Sequence, residues 1–288
     1  MNDAHGYLRH CHACNRHDLS RFAPFYIGAK PLGWVAKELA ALLPAEMDLF
    51  EPHKDGIALA PRFDSLAARS DALLTATKWI AARHGEKLRD EMYPVVEKWG
   101  DPPLAQIDRA GVPWFGVKGF GIHVNGFVKK PSGLHLWIGE RAKNRLVDPG
   151  KLDNMIGGGQ PIGLTLEENL RKEAHEEAGI NAALADTARP ASTLHYKSER
   201  MHGLRNDVLF VYDLEMPENF APRNQDGEVG AFHLMPLAEV AALVRDTDRF
   251  KFNCNLVIID FLMRHGFLAK EKEPGFPALQ AALRMATI

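Results

Sequence analysis

Apolar residues recur along this chain in two registers, one helical and one extended. Over 33–43, Val35, Leu39, Leu42 and Leu43 keep helical spacing and predict a helix that stops before Pro44. A longer helix is predicted over 64–84, capped by Asp64 or Ser65, with Leu66, Leu73, Leu74, Trp79 and Ile80 as its apolar positions. Asp101-Pro102-Pro103 reads as a turn or linker. From Trp114 the texture becomes β: Phe120, Ile122 and Val124 alternate with Gly121, His123 and Asn125. Lys130-Pro131-Ser132-Gly133 turns the chain, and a strand restarts over 134–138, giving a hairpin. A glycine cluster, Gly157-Gly158-Gly159, precedes a further helix; strands follow at 192–196 and 207–214, then helices at 236–246 and 255–265. No fixed-period repeat or low-complexity tract interrupts this order, and strands and helices do not alternate regularly, so the fold class is α+β.

The most informative segment is the helix after the glycines. Thr165 and Glu168 form a Ser/Thr-x-x-Glu capping box, and Gly179 suits the residue just past its end. At about 100° per residue, Leu166, Leu170 and Ala174 define an apolar stripe. Glu173 and Glu177 project at nearly the same angle as Leu166 and Leu170, and Glu176 lies beside them. Unpaired carboxylates on an inward stripe would cost several kcal/mol or shift their pKa strongly upward. A divalent cation removes that cost: Mg²⁺ or Mn²⁺ takes carboxylate oxygens, and Mg²⁺ keeps positions for water and substrate phosphates.

Composition narrows the classes. Of 288 residues, 46% are hydrophobic and 25% charged, the values of a folded globular chain. Thirty-five basic and 37 acidic side chains leave a net charge of −2, so no basic footprint for nucleic acid is expected. No apolar run reaches the roughly 18 residues of a membrane span. The polar start, Met1 to Leu8 with His5, and Arg9 just after it read as no secretory signal, and three cysteines are too few for a disulfide framework; a reducing, cytoplasmic setting is expected. His10-Cys11-His12-Ala13-Cys14, with His17, has zinc-like spacing but no second cysteine pair, so a metal-free segment is expected there. Arg141 and Lys143, beyond the 134–138 strand, are candidates for substrate phosphate, with solvated charges as the plain alternative. Trp34, Trp99, Trp114 and Trp137 are read as core first and as a ring platform second.

Gly158-Gly159, then Gly163 through Lys172-Glu173-Ala174-His175-Glu176-Glu177-Ala178-Gly179-Ile180, resembles the Nudix box. The right half matches the family pattern except for Lys172 in the arginine position; Leu164 stands where the pattern has glutamate. A narrower resemblance, to the Nudix subgroup related to the N-terminal region of fungal thiamin pyrophosphokinase, spans most of the chain. It rests on Pro149-Gly150-Lys151-Leu152-Asp153-Asn154, on Phe250-Lys251-Phe252-Asn253-Cys254-Asn255, on Asp260-Phe261-Leu262-Met263-Arg264-His265-Gly266, and upstream on Pro24-Phe25-Tyr26-Ile27 and Arg89-Asp90-Glu91-Met92-Tyr93-Pro94-Val95.

The resemblance implies a Nudix-type α/β/α sandwich over 112–288 and an extra N-terminal α+β subdomain over 1–111. It implies hydrolysis of a small-molecule diphosphate, with thiamine diphosphate or its damaged analogues favoured, and a homodimer is an open expectation. Glu173, Glu176 and Glu177 are the implied ligands of Mg²⁺ or Mn²⁺; Glu177 or Glu228 is the implied proton acceptor, with Glu176 in the same machinery; Gly158 and Gly159 are assigned to the substrate. Hydrolysis of a nucleoside diphosphate derivative, such as ADP-ribose or a dinucleotide, and a non-catalytic ligand-binding role are the alternatives. The leucine at 164 is the feature that favours the last.

Overall fold

A computed structural model describes residues 6–270, 273 and 275–285. The Met1–His5 part of the start lies outside the described residues, as does the chain beyond Met285. A first helix, α1 (Leu8–Cys14), leads into β1 (Phe22–Ile27), β2 (Lys30–Ala36), α2 (Lys37–Glu46), β3 (Phe50–His53) and β4 (Gly56–Leu59). The four strands form a sheet in the order β2-β1-β4-β3, with β1 and β4 parallel. Then come α3 (Leu66–His84), the hairpin β5 (Met92–Val95) and β6 (Ala105–Asp108), and α4 (Val112–Phe115).

Two expectations change here. The 33–43 segment is strand up to Ala36 and helix only from Lys37, because Leu32 and Val35 are buried from the sheet. The helix also runs through Pro44 to Glu46, with Pro44 giving up one i→i−4 hydrogen bond near the end. Asp101-Pro102-Pro103 lies in the connection between β5 and β6. The long helix starts as expected, with the Ser65 hydroxyl accepting the Ala68 N–H at 3.2 Å.

The second part holds β7 (Lys118–Lys130), β8 (Gly133–Arg141), β9 (Leu152–Asp153), β10 (Ile156–Gly159), α5 (Leu166–Ala178), α6 (Ala182–Ala185), β11 (Arg189–Arg200), β12 (Gly203–Glu215), β13 (Val229–Pro236), α7 (Leu237–Asp246), α8 (Cys254–Arg264) and α9 (Phe276–Met285). A seven-stranded mixed sheet runs β11-β12-β7-β8-β13; β10 pairs with the first half of β7 and β9 with β8. The β7–β12 pair is parallel, Ile122 opposite Phe210.

Alternation on β7 sorts the two faces. Ile122 and Val124 meet Leu170, Ala174 and Ala178 of α5. Phe127, Leu136, Ile138 and Val211 meet α7 and α8 on the other side. This is an α/β/α sandwich with an additional N-terminal α+β part. The two parts keep separate cores: Phe25, Leu73, Ile80, Ile107 and Phe115 belong to the first. Helix α1 crosses over, giving Tyr7, Cys11 and Cys14 to the sandwich core.

Candidate active site

Helix α5 is placed by its own sequence. Thr165 Oγ1 accepts the Glu168 N–H at 3.1 Å, Glu168 Oε2 accepts the Thr165 N–H at 2.8 Å, and Gly179 closes the end at φ 65°. The stripe then presses Glu173 and Glu177 against β10.

The glycine cluster is strand rather than loop. Gly157, Gly158 and Gly159 pair with His123, Ile122 and Gly121 of β7. What they lack is the point: a Cβ on Gly158 would lie 2.4 Å from Cδ of Glu173. Gly158 and Gly159, assigned above to the substrate, therefore serve first to let side chains approach the strand. The Gly157 N–H donates to Glu177 Oε2 at 2.8 Å.

Glu177 is 7% exposed, and burial pushes its carboxyl well above the usual range. The Gly157 N–H offsets part of that, while Glu173, Asp153 and Glu228 add to it. Burial likewise raises Glu173, with Lys172 opposing and Glu176 and Glu228 assisting. Lys172 Nζ sits 3.1 Å from Glu173 Oε1 and 2.7 Å from Glu176 Oε2, bridging two of the three carboxylates. Glu176 is half-exposed, and its backbone carbonyl accepts the Gln225 N–H at 2.8 Å. A buried carboxylate with one hydrogen bond, three neighbours of like charge and a small cleft before it fits a divalent cation.

That cleft is lined by Gly139, Arg141, Asp153, Asn154, Glu177 and Glu228. Glu228 comes from the loop before β13 and pairs with Arg145. Arg141 lies inside β8, not beyond it. Its guanidinium holds Asp153 Oδ2 at 2.8 Å and the carbonyl of Val147 at 2.8 Å, so it is committed to the wall. Lys143 is exposed in the following turn.

Beneath the cleft is a buried polar knot that sequence reading did not assemble. His123, Asp153 and Cys254 place one ligand atom each within 4.8 Å of one another; among the described residues this trio, and not the three glutamates, meets that criterion. The knot is already satisfied. Asp153 Oδ1 accepts the Asn154 N–H at 2.9 Å and the Cys254 thiol at 2.6 Å; Oδ2 takes Arg141 and, at 3.4 Å, Lys251. Burial would raise Asp153, but Lys251, His123, the Cys254 thiol and Arg141 together hold it at about 2. Burial, with Lys251, lowers His123 to about 4, and its Nδ1 lies 2.9 Å from Asn154 Oδ1. Two cations on one carboxylate already supply the charge a metal would bring. Asp153, Lys251 and Cys254 all stand in the segments that carry the narrower resemblance; burial pushes the Cys254 thiol well up.

The N-terminal Cys/His segment is helix and core. Cys11 and Cys14 are buried, and burial pushes both thiols up to about 12. His10 Nε2 meets the Val244 carbonyl at 2.6 Å. Of the tryptophans, Trp114 is core, and Trp99 packs 5.1 Å from Phe120 and 5.6 Å from Phe210.

Residues 121–255 match the NUDIX domain family, and residues 6–119 match a domain of unknown function, DUF4743. The chain is 41% identical to Nudix hydrolase 24, chloroplastic, of Arabidopsis thaliana over 98% of its length and 79% of that protein. It is 38% identical to Nudix hydrolase 20, chloroplastic, of the same plant, over 98% and 79%. The crystal structure of DR0079 from Deinococcus radiodurans is similar at a TM-score of 0.45 and 24% identity, covering 59% of this chain and 98% of that one. The acidic helix against a glycine strand, the family match over the same residues and the likeness to two plant relatives over 98% of this chain agree: the chain belongs to the Nudix hydrolases and is an enzyme that cleaves diphosphates.

Proposed function

We propose that the enzyme hydrolyses thiamine diphosphate or its oxidised, damaged analogues to the monophosphate and phosphate, with Mg²⁺ or Mn²⁺ held by Glu173, Glu176 and Glu177. The observation that carries the site is Glu177, a buried carboxylate pinned to Gly157 and facing the cleft. A bound divalent ion supplies Lewis-acid polarisation of the phosphoryl group and offsets charge in the transition state. Glu173 and Glu177 hold their oxygens against β10 and would hold a cation there. Glu228, which lines the cleft and pairs with Arg145, takes the proton of the attacking water. Arg141 keeps the wall in place through Asp153.

The substrate class rests on the narrower resemblance. In support of it, two of the segments that carry it, 149–154 and 250–255, pack on each other around Asp153, Lys251 and Cys254 directly under the cleft. Product formation, separated chromatographically over a panel of thiamine diphosphate, its oxidised analogues, ADP-ribose and dinucleotides, checks the reading. The highest kcat/KM is expected for a thiamine-type diphosphate and only with metal. A nucleotide at the head of the ranking would overturn the substrate, and no turnover of any member would overturn the activity.

A further inference from the structure

The stretch 160–165, between β10 and α5, leads into the acidic helix, and the capping box fixes only its last residue, Thr165. Leu164 offers no charge, and Lys172 is turned to Glu173 and Glu176. Its internal ties are Gln160 Nε2 on the Leu164 carbonyl at 2.8 Å and Asn169 Nδ2 on the Gly159 carbonyl at 2.8 Å. The Gln160 N–H also donates to the Phe120 carbonyl of β7 at 2.8 Å, and further support comes from the N-terminal part. The Ile162 N–H donates to the Met92 carbonyl at 2.9 Å. The Tyr93 hydroxyl occupies the space a side chain at 159 would need, 1.8 Å from the position of a Cβ there.

This brace is rigid. Asp108, 1% exposed, accepts the backbone N–H groups of Arg89 at 3.0 Å, Asp90 at 2.9 Å and Ala110 at 2.8 Å. Asp90 thereby holds a left-handed φ of 53° immediately ahead of Glu91 and Met92. The Arg109 N–H donates to the Glu91 carbonyl at 2.8 Å, tying the two ends of the hairpin together. Tyr93 itself is 4% exposed.

We propose that the N-terminal part is a positioning element of the hydrolytic site, with Met92 and Tyr93 setting the 160–165 loop and, through it, the distance of Glu173 and Glu177 from β10. The proposal rests on the assignment of those glutamates to the metal. It gives a catalytic purpose to the 6–119 region, whose family match carries no function. It also accounts for a glycine at 159, where the strand alone would accept any small residue.

Overfilling and underfilling the contact are then expected to compensate. Gly159→Ala drives a methyl into the Tyr93 hydroxyl and should cost about 10²-fold in kcat, the scale of a 1 Å misplacement. Tyr93→Phe removes the oxygen and leaves the ring carbon Cζ 3.1 Å from the new methyl. Alone it loosens the loop, with a smaller loss in kcat. In the double variant the methyl takes the place of the oxygen, and at least tenfold of the Gly159→Ala loss should return. Mn²⁺ affinity, read by electron paramagnetic resonance on the folded full-length chain, should weaken in each single variant and recover in the double. Should Gly159→Ala not fold, Tyr93→Ala empties the same space and must weaken Mn²⁺ binding. Wild-type Mn²⁺ affinity in the single variants, with only the melting temperature lowered, would reduce the contact to a structural one and overturn the proposal. So would a double variant no better than Gly159→Ala. A chain altered only by Glu177→Gln that binds Mn²⁺ as the wild type does would overturn the metal assignment beneath it, a result distinct from either.

Discussion

Glu177→Gln separates charge from shape at the centre of the site. The amide oxygen still accepts the Gly157 N–H now held at 2.8 Å, and the side chain keeps its length. What disappears is a negative charge that is 7% exposed and faces Glu173, Asp153 and Glu228. Without metal the wild-type chain bears that charge at a cost it reduces by keeping the carboxyl protonated. Glutamine removes the residue of that cost, about 1–2 kcal/mol. For a chain of this size that is a rise of roughly 2–4 °C in Tm per kcal/mol. The folded-state pKa lies above the unfolded value, so the destabilisation is absent below the unfolded pKa of about 4.3 and grows as pH rises through the folded value. The stability gap between variant and wild type should therefore close towards pH 4 and widen as pH rises from there towards the folded value. With saturating Mg²⁺ the order reverses. Wild type gains stability by mass action, about 2.7 kcal/mol at a hundredfold excess over Kd, and the variant gains little. Activity should fall at least ~10²-fold. Glu167→Gln, exposed on the first turn of α5, is the control and should lose little. Paired calorimetric scans with and without Mg²⁺, beside initial rates at saturating metal, give all three readouts. Equal rate losses in the two variants, or a Glu177→Gln chain less stable than wild type without metal, would refute the reasoning.

Gly158→Ala should leave the melting temperature almost unchanged yet weaken Mn²⁺ binding at least about tenfold, because the methyl meets the flexible end of Glu173 rather than backbone; calorimetric metal titration reads it. Asp153→Asn should cost about 3–5 kcal/mol in urea unfolding, since Arg141 and Lys251 are left buried without their counter-charge. In the wild type the same carboxylate, held at about 2, contributes stability that is intact above pH 4 and lost as pH falls towards 2, and the variant's acid unfolding should lack that contribution. Thr165→Ala removes half of the capping box and should lower stability by about 1 kcal/mol, with kcat at saturating metal little changed.

What the sequence made legible, and what it hid, follows from the range of the forces involved. The capping box at Thr165, the Gly179 terminus and the Glu173–Glu177 stripe depend on residues within a few turns of one another, so spacing alone placed them. Strand β13 is marked by Phe232 and Leu234 but begins with an irregular register between Val229 and Ala231, which breaks the period-two signal at its start. Its residues are half-buried on both faces, so no clean alternation remains. The glycines at 157–159 carry a composition that suits a loop as well as a strand; only Glu173 on one face and Tyr93 on the other show why side chains are absent. The knot at Asp153 was beyond reach for a different reason. Its partners Lys251 and Cys254 stand 98 and 101 residues away, and each reads alone as an ordinary surface lysine and an ordinary core cysteine. Arg141 illustrates the consequence: an arginine at a strand end beside a diphosphate site looks free for phosphate, until a carboxylate brought in by β9 claims it. Local chemistry therefore revealed the groups proposed to act on the substrate, whereas the groups that hold them still became visible only once the chain was folded.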